Sequence, residues 1–138
     1  MIRQLSIFAE NKKGAMNRIT QILFDAGVNM NTLITNDSAE YGIVRMLVSD
    51  TDKAEMALRD KGYMCHSESV IAAEIGDECG SLNRLLGIIA DGNINVDYIY
   101  VTYNTLSRLP VAILRTSDLM EVQEFLQSRG YKTLSRID

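Results

Sequence analysis

The chain has 138 residues, a formal net charge of −4 and 46% hydrophobic residues, a composition typical of a compact globular protein. It contains no hydrophobic run near the ~20 residues that span a bilayer, and its 14 basic residues are scattered, so we expect neither a membrane role nor a nucleic-acid partner. Two cysteines, Cys65 and Cys79, and a single histidine form neither a disulfide framework nor a metal-ligand set, so no cofactor is expected.

In chain order, the hydrophobic periods predict two successive runs of strand, helix, strand, strand, helix and strand. The first run comprises strand 2–9, helix 16–26, strand 28–35, a turn-rich hairpin at 36–40, strand 41–48, helix 52–61 and strand 63–70. The second run comprises strand 71–75, helix 81–91, strand 94–103, strand 109–115, helix 118–129 and strand 131–137. The first strand lacks the apolar core and cleavage site of a secretory signal, so we expect a cytoplasmic location.

The two runs are copies of one unit. Residues 11–19 are echoed by residues 77–85 at an offset of 66 positions. Further along, residues 61–63 match residues 129–131 at an offset of 68, which places the two extra residues in the hairpin of the second copy. The sequence therefore predicts two tandem domains, 1–70 and 71–138.

The order of elements in each copy predicts an α+β, ferredoxin-like fold. Two interleaved β-α-β units give an antiparallel four-stranded sheet in the order 4-1-3-2, with both helices on one face. This order leaves the second and fourth strands as edges, which globular proteins normally cover or pair. A unit of about 70 residues buries only about 60% of its chain surface, so we expect the copies to pair with each other and with a second chain in a homodimer.

Other activities of this fold need residues that the chain lacks or separates. An RNA-recognition domain stacks bases on aromatic residues of its central strands, and the second copy has none in 71–75 or 109–115. A metal-transport domain needs two cysteines in the loop after its first strand, but these loops hold none and one, Cys79. Cys65 and His66 are neighbours in a strand, where successive side chains point to opposite faces, so the two cannot easily act together in catalysis.

The most faithfully repeated feature is the join between the first strand and first helix of each copy. Gly14 and Gly80 permit a tight turn there. The free N–H groups at the helix start form a site for a carboxylate or another anion; they belong to Ala15, Met16, Ser81 and Leu82. Glycine turns also occur without any ligand, so the repetition alone does not establish a site.

An asparagine follows the first helix of each copy. Asn29 and Asn95 both stand in an apolar-Asn-apolar triplet at the entry to the second strand. A carboxamide both donates and accepts hydrogen bonds, which suits a ligand carrying both kinds of group. We therefore treat the two asparagines as candidate ligand contacts, with an ordinary loop position as the alternative.

Segments 10–16 (ENKKGAM) and 26–30 (AGVNM) resemble the ACT domain, an amino-acid-binding regulatory module appended to many biosynthetic enzymes and also found as free-standing tandem proteins. The resemblance covers nearly the whole chain. It implies that paired domains join edge to edge into an eight-stranded sheet. It also implies that an effector binds at the interface, beside the first loop of one domain and the second strand of another.

The resemblance also implies particular ligand contacts. In the first copy these are the side chains of Asn11 and Asn29 and the backbone of Gly14, Ala15 and Met16. In the second copy they are Asp77, Gly80, Ser81, Leu82 and Asn95. Asp77 replaces an amide by an anion, which favours an ammonium group and repels a nearby carboxylate, so the two pockets are expected to differ.

Our leading hypothesis is a free-standing tandem ACT-type regulatory protein without chemistry of its own. It binds an amino acid or a similar small zwitterion at the interface between repeats and acts on a partner enzyme or regulator. The alternatives are a small enzyme or a structural oligomerisation module on the same scaffold.

Overall fold

The computed structural model of the protein describes residues 1–10, 12–35 and 41–137, without the side chain of Tyr41. The chain divides into two compact units. The first unit, here the first repeat, is Arg3–Glu68, and the second repeat is Ser69–Asp138 together with Met1–Ile2. The boundary predicted after residue 70 lies two residues from this division.

The first repeat has the predicted strand order. Its elements are β1 (Ile2–Glu10), α1 (Ala15–Asp25), β2 (Met30–Thr35), β3 (Tyr41–Val48), α2 (Thr51–Asp60) and the beginning of β4 (Met64–Glu74). The strands follow the order β2-β3-β1-β4, which confirms the predicted order 4-1-3-2. β3 is antiparallel to both β1 and β2, and Met46 lies opposite Leu5 and Leu33. The predicted hairpin, 36–40, lies outside the described residues.

The core of the first repeat lies between its sheet and its helices. α1 buries one stripe at helical spacing, which consists of Ala15, Ile19, Ile22 and Leu23. Ile19 and Leu23 pack in one cluster with Leu5 and Ile7 of β1 and Leu58 of α2. Because strand residues two apart share a face, Leu5 and Ile7 turn the same side of β1 toward both helices.

The second repeat repeats this architecture. It contains the end of β4, α3 (Ser81–Asp91), β5 (Val96–Asn104), β6 (Leu109–Thr116) and α4 (Leu119–Ser128). Its strands follow the order β4-β6-β5 with antiparallel pairing, and Ala73 lies opposite Ala112. Ile71, Leu85 and Leu126 are fully buried in its core. The predicted α+β class with two ferredoxin-like units is therefore confirmed.

Two predicted strands, 63–70 and 71–75, form one strand instead of two. β4 continues from Met64 to Glu74 without interruption and contributes residues to both repeats. The prediction of a break was wrong because residues 70–73, on either side of the predicted join, contain no glycine, proline or other turn-forming residue. Its central residues, Val70 and Ile71, are β-branched, which favours extended backbone.

The predicted last strand, 131–137, is reduced to one bridge. Thr133 pairs with Ala73, and backbone hydrogen bonds flank the bridge at Leu134 (N–H to the Ala72 carbonyl, 2.8 Å) and at Lys132. Leu134 is the one buried side chain among described residues 131–137, so little apolar surface holds this segment in a longer strand. The described residues accordingly contain six strands and four helices.

The ends of α1 and α3 show why a glycine is displaced between the repeats. After α1, Gly27 is left-handed (φ 73°), and its N–H donates to the Phe24 carbonyl at 3.0 Å. After α3 the left-handed residue is Asn93 (φ 54°), whose N–H donates to the carbonyl three residues earlier. Gly92 stands one position before it, because a Cβ there would lie 2.8 Å from the Phe125 ring.

Gly92→Ala is expected to lower the free energy of unfolding by about 1 kcal/mol, because the added methyl overpacks the contact with Phe125. Asn93→Gly is expected to raise it by up to ~1 kcal/mol, because glycine has no penalty in the left-handed region. Urea unfolding followed by circular dichroism measures both changes. Equal stabilities of Gly92→Ala and the unmodified protein would contradict the packing explanation.

Candidate functional site

The turn before the first helix has the same shape in both repeats. Gly14 directly precedes α1 with φ 83°, and Gly80 directly precedes α3 with φ 90°. A Cβ disfavours this left-handed conformation, which explains glycine at both positions. No side chain caps the start of either helix, so no capping side chain accepts a hydrogen bond from the backbone N–H groups of the first turn.

One of the two predicted amides in each turn is already occupied. The N–H groups of Ala15 and Ser81 each donate to the carbonyl three residues earlier, at 3.2 Å in both repeats. Met16 and Leu82 occupy the second helical positions, whose N–H groups have no intrahelical acceptor. In each turn these later amides therefore have no acceptor within the helix, and they lie at the positive end of a helix dipole.

The predicted asparagine contacts lie at the other end of each helix. Asn29 follows α1, its side chain is exposed, and its backbone exchanges hydrogen bonds with Ser49 (N–H to Oγ, 3.0 Å; carbonyl from N–H, 2.9 Å). α1 has 11 residues and is roughly 16 Å long, so the first repeat does not bring Gly14 and Asn29 together. The same separation holds between Gly80 and Asn95 across α3, also 11 residues.

The remaining predicted contacts lie in the loops before the helices. Asp77 is exposed in the turn that leads to α3. Asn11 lies outside the described residues. A pocket that combines a glycine turn with an asparagine would need the loop of one ACT unit and the carboxamide of another, and this combination stays a prediction.

A cavity of about 310 Å³ lies at one end of the first repeat, and we call it the first-repeat cavity. It is formed where β1, α1, α2 and β4 approach each other. Its lining residues are Phe8, Glu10, Lys12, Ala15, Arg18, Lys61, Gly62, Tyr63 and Met64. Basic side chains therefore predominate over the single carboxylate of Glu10, whose Oε2 lies 3.0 Å from Lys12 Nζ.

A second cavity, of about 380 Å³, lies in the second repeat where α3 ends and α4 begins. Its lining residues are Gly92, Asn93, Ile94, Asn95, Ser117, Asp118, Glu121, Val122 and Phe125. The predicted contact Asn95 thus lines a cavity with two carboxylates, whereas Ala15 lines the basic first-repeat cavity. The two cavities have opposite charge.

Sequence reasoning missed Arg18, Lys61 and Tyr63 as cavity residues. The match of 61–63 with 129–131 was visible, but it indicated duplication and gave no location for these side chains. They meet the glycine turn only because β4 returns beside β1 after α2. Arg18 carried a weak local signal, since it stands four residues after Gly14 and so one helical turn from it.

Cys65 and His66 lie on opposite faces of β4, as the sequence indicated. Cys65 is buried in the core with its thiol 3.7 Å from the Glu55 carbonyl, while His66 is exposed. Burial, as the largest cause, raises the pKa of the Cys65 thiol above its ordinary value. A raised thiol pKa reduces the thiolate fraction, which is the nucleophilic form.

Alkylation by iodoacetamide at mildly alkaline pH is expected to label Cys79 well before Cys65. Cys79 is exposed, whereas Cys65 is 3% exposed and its raised pKa further lowers its reactivity as long as the pH stays below that pKa. Peptide mass mapping over time measures both rates. Cys79→Ser should remove the fast label, and fast labelling of Cys65 in the folded variant would contradict its burial.

The chain belongs to the ACT domain family, because the family of ACT domain pairs matches residues 1–133. This match confirms the resemblance found in the sequence. The ACT domain pair is a regulatory module, and no catalytic family is indicated. The chain matches no curated protein sequence.

Solved structures share the fold over most of the chain. A protein from Bacteroides thetaiotaomicron superposes with a TM-score of 0.88 at 29% identity, covering 96% of this chain and 91% of that one. The ligand-free regulatory subunit of aspartate kinase from Thermus thermophilus superposes with a TM-score of 0.64 at 13% identity, covering 93% and 92%. The Thermus flavus regulatory subunit gives 0.64 at 12%, covering 91% and 90%. At these low identities, the two Thermus structures show a shared fold.

Two further features concern membranes and metals. Across 1–10, 12–35 and 41–137, no helix has the length and hydrophobicity needed to cross a membrane. Within the same ranges, no three His, Cys, Asp or Glu side chains gather closely enough to hold a metal ion.

Proposed function

We propose that the protein binds an amino acid or a similar small zwitterion and reports its presence to a partner enzyme or regulator. The observation that carries this proposal is the left-handed glycine turn found before both α1 and α3 (Gly14, φ 83°; Gly80, φ 90°). Each turn orients a helix start with an amide that suits a carboxylate. Membership of the regulatory ACT family supports the same function.

In the proposed site, the two ends of the zwitterion meet different ACT units. The ligand carboxylate accepts hydrogen bonds from the amide of Met16 or Leu82. The ligand ammonium donates to the side-chain oxygen of Asn29 or Asn95 on the neighbouring unit. The ligand would bind by hydrogen bonds and charge alone, and no covalent step is involved.

Calorimetric titration of the whole chain with each common amino acid tests this proposal. Binding of at least one amino acid is expected, and Asn29→Ala or Asn95→Ala should weaken it by about tenfold through loss of a hydrogen bond to a charged group. Gln21→Ala is the matched control, because it removes an exposed carboxamide from α1 that is bonded to Asp25 at 2.9 Å. Absence of heat with every amino acid at millimolar concentration would refute the proposal.

A ligand shared by two units changes their association only if it binds one arrangement better than another. We therefore expect the proposed homodimer to change in stability when the site fills. Sedimentation velocity at several protein concentrations, with and without the bound amino acid, measures this coupling. An unchanged dissociation constant of the homodimer would show that ligand binding is not coupled to assembly. The dimer would then not transmit the signal.

A further inference from the structure

The first-repeat cavity has an excess of positive charge. Lys12, Arg18 and Lys61 line it from three different segments, and Glu10 is the one carboxylate in the lining. Glu10 pairs with Lys12 at 3.0 Å, whereas no ion pair involves Arg18 or Lys61 in the part of the chain that the structure describes. The lining thus has an excess of two positive charges, and two cations are available to a ligand.

The backbone around the cavity also favours an anion. α1 directs its N-terminal end toward it, with Ala15 in the lining. The opposing C-terminal end of α2 contributes less negative potential, because two of its last carbonyls already accept hydrogen bonds. These bonds come from the N–H groups of Gly62 (2.9 Å) and Tyr63 (3.0 Å).

Apolar side chains that the fold does not require also line this cavity. Phe8 is 47% exposed and Met64 is 75% exposed. The corresponding positions of the second repeat, at offsets of 66 and 68, hold Glu74 and Lys132, whose side chains lie 3.8 Å apart as an ion pair. The same end of the sheet therefore accepts a charged pair, and the exposed apolar pair is particular to the first repeat.

The charge excess is smaller at the corresponding positions of the second repeat, one positive charge instead of two, and Gly76 stands in place of Glu10. The position of Lys12 is taken by Glu78, while Arg18 and Lys61 correspond to Arg84 and Arg129. Duplication alone would have produced the same cavity twice. The repeats therefore differ here in the apolar pair and in Glu78, whereas both keep a cation at the positions of Arg18 and Lys61.

We propose that the first-repeat cavity binds a small dianion with an apolar chain, namely a short dicarboxylate. Arg18 binds one carboxylate, for which its guanidinium fork is suited. Lys61 binds the other, and the chain between them lies against Phe8 and Met64. This site shares the N-terminal end of α1 with the proposed amino-acid site, but it is formed within one repeat and does not include Asn29 or Asn95.

Calorimetric titration of the full chain with succinate tests the proposal, with butyrate as the singly charged ligand of equal chain length. Succinate is expected to bind at least about tenfold more tightly than butyrate, and Arg18→Gln and Lys61→Gln should each weaken succinate binding by about tenfold. Arg18 and Lys61 are exposed, so both variants should keep the thermal midpoint of the unmodified protein. Absence of heat with succinate at millimolar concentration would overturn the proposal.

Matched variants separate this site from a general attraction of anions. Arg84→Gln and Arg129→Gln remove the same charges from the second repeat and should leave succinate binding unchanged. Equal losses in these controls, or inorganic phosphate binding as tightly as succinate, would overturn the assignment to a dicarboxylate site. Asn29→Ala should also leave succinate binding unchanged, so failure of the amino-acid site and failure of this site give different results.

Discussion

Leu85→Ala is expected to lower the free energy of unfolding by about 2–5 kcal/mol. Leu85 is fully buried in the core of the second repeat, where it packs in one cluster with Ile71, Leu114 and Leu126. Truncation removes apolar contacts and leaves a cavity that the surrounding helices and strands fill only in part. Urea unfolding followed by circular dichroism and by tyrosine fluorescence measures the loss.

The corresponding position of the first repeat provides a matched variant. Ile19 lies 66 positions before Leu85, is also fully buried, and packs against Leu5 and Leu58. Ile19→Ala is therefore expected to lower stability within the same range. Met56→Ala is the control, because Met56 is 67% exposed, and its effect should stay within about 0.5 kcal/mol. A loss at Leu85 no larger than at Met56 would contradict the described core.

The combined variant Gly14→Ala and Gly80→Ala is expected to lower the free energy of unfolding by about 2–4 kcal/mol, with about 1–2 kcal/mol from each change. Both glycines are left-handed, at φ 83° and φ 90°. A Cβ at either position would meet no atom within 4 Å, so the cost comes from backbone conformation and not from a clash. Denaturant midpoints of the single and combined variants measure it.

Gly87→Ala is the control with the opposite sign. Gly87 lies inside α3, has ordinary helical backbone, and a Cβ there also meets no atom within 4 Å. Alanine at this position should raise the free energy of unfolding by about 0.5–1 kcal/mol, because it restricts the unfolded chain. Equal effects of alanine at Gly80 and Gly87 would show that the turn does not need its left-handed conformation.

Much of the fold could be predicted because hydrophobic period and local conformation agree. α3 spans Ser81–Asp91 as predicted, since its apolar residues recur at helical spacing and a glycine stands at each end. Ile7 illustrates the same agreement in β1, where it shares one face of the strand with Leu5 and Ala9 and packs with them in the core. Each repeat is largely specified by such short-range patterns.

Other features depend on neighbours far away in sequence. The residues 131–137 alternate like a strand, but their pairing is limited to the bridge at Thr133 by how little apolar surface they bury. Phe125, on another helix, disfavours a Cβ at position 92, and the left-handed position that follows is held by Asn93. Neither distant contact can be read from the local pattern.

The candidate sites divide in the same way. The Gly14 and Gly80 turns were visible as repeated glycines, since a left-handed residue has a strong local signature. The first-repeat cavity was not visible, because Phe8 and Lys61 are 53 positions apart and meet only in the folded repeat. The proposed combination of a glycine turn with an asparagine from another unit likewise goes beyond what helix periodicity can predict.

The uninterrupted β4 strand limits where the protein can be cleaved by a protease or truncated. Domain boundaries normally fall in exposed linkers, which proteases cleave first. Here the division falls between Glu68 and Ser69, which are half-buried within β4, and the strand continues through Val70, Ile71, Ala72 and Ala73, all at 0% exposure. The backbone of this strand is not accessible to a protease. A protein truncated there would expose the unpaired edge of a strand, which is prone to aggregation. The two repeats therefore have to be expressed together as one chain.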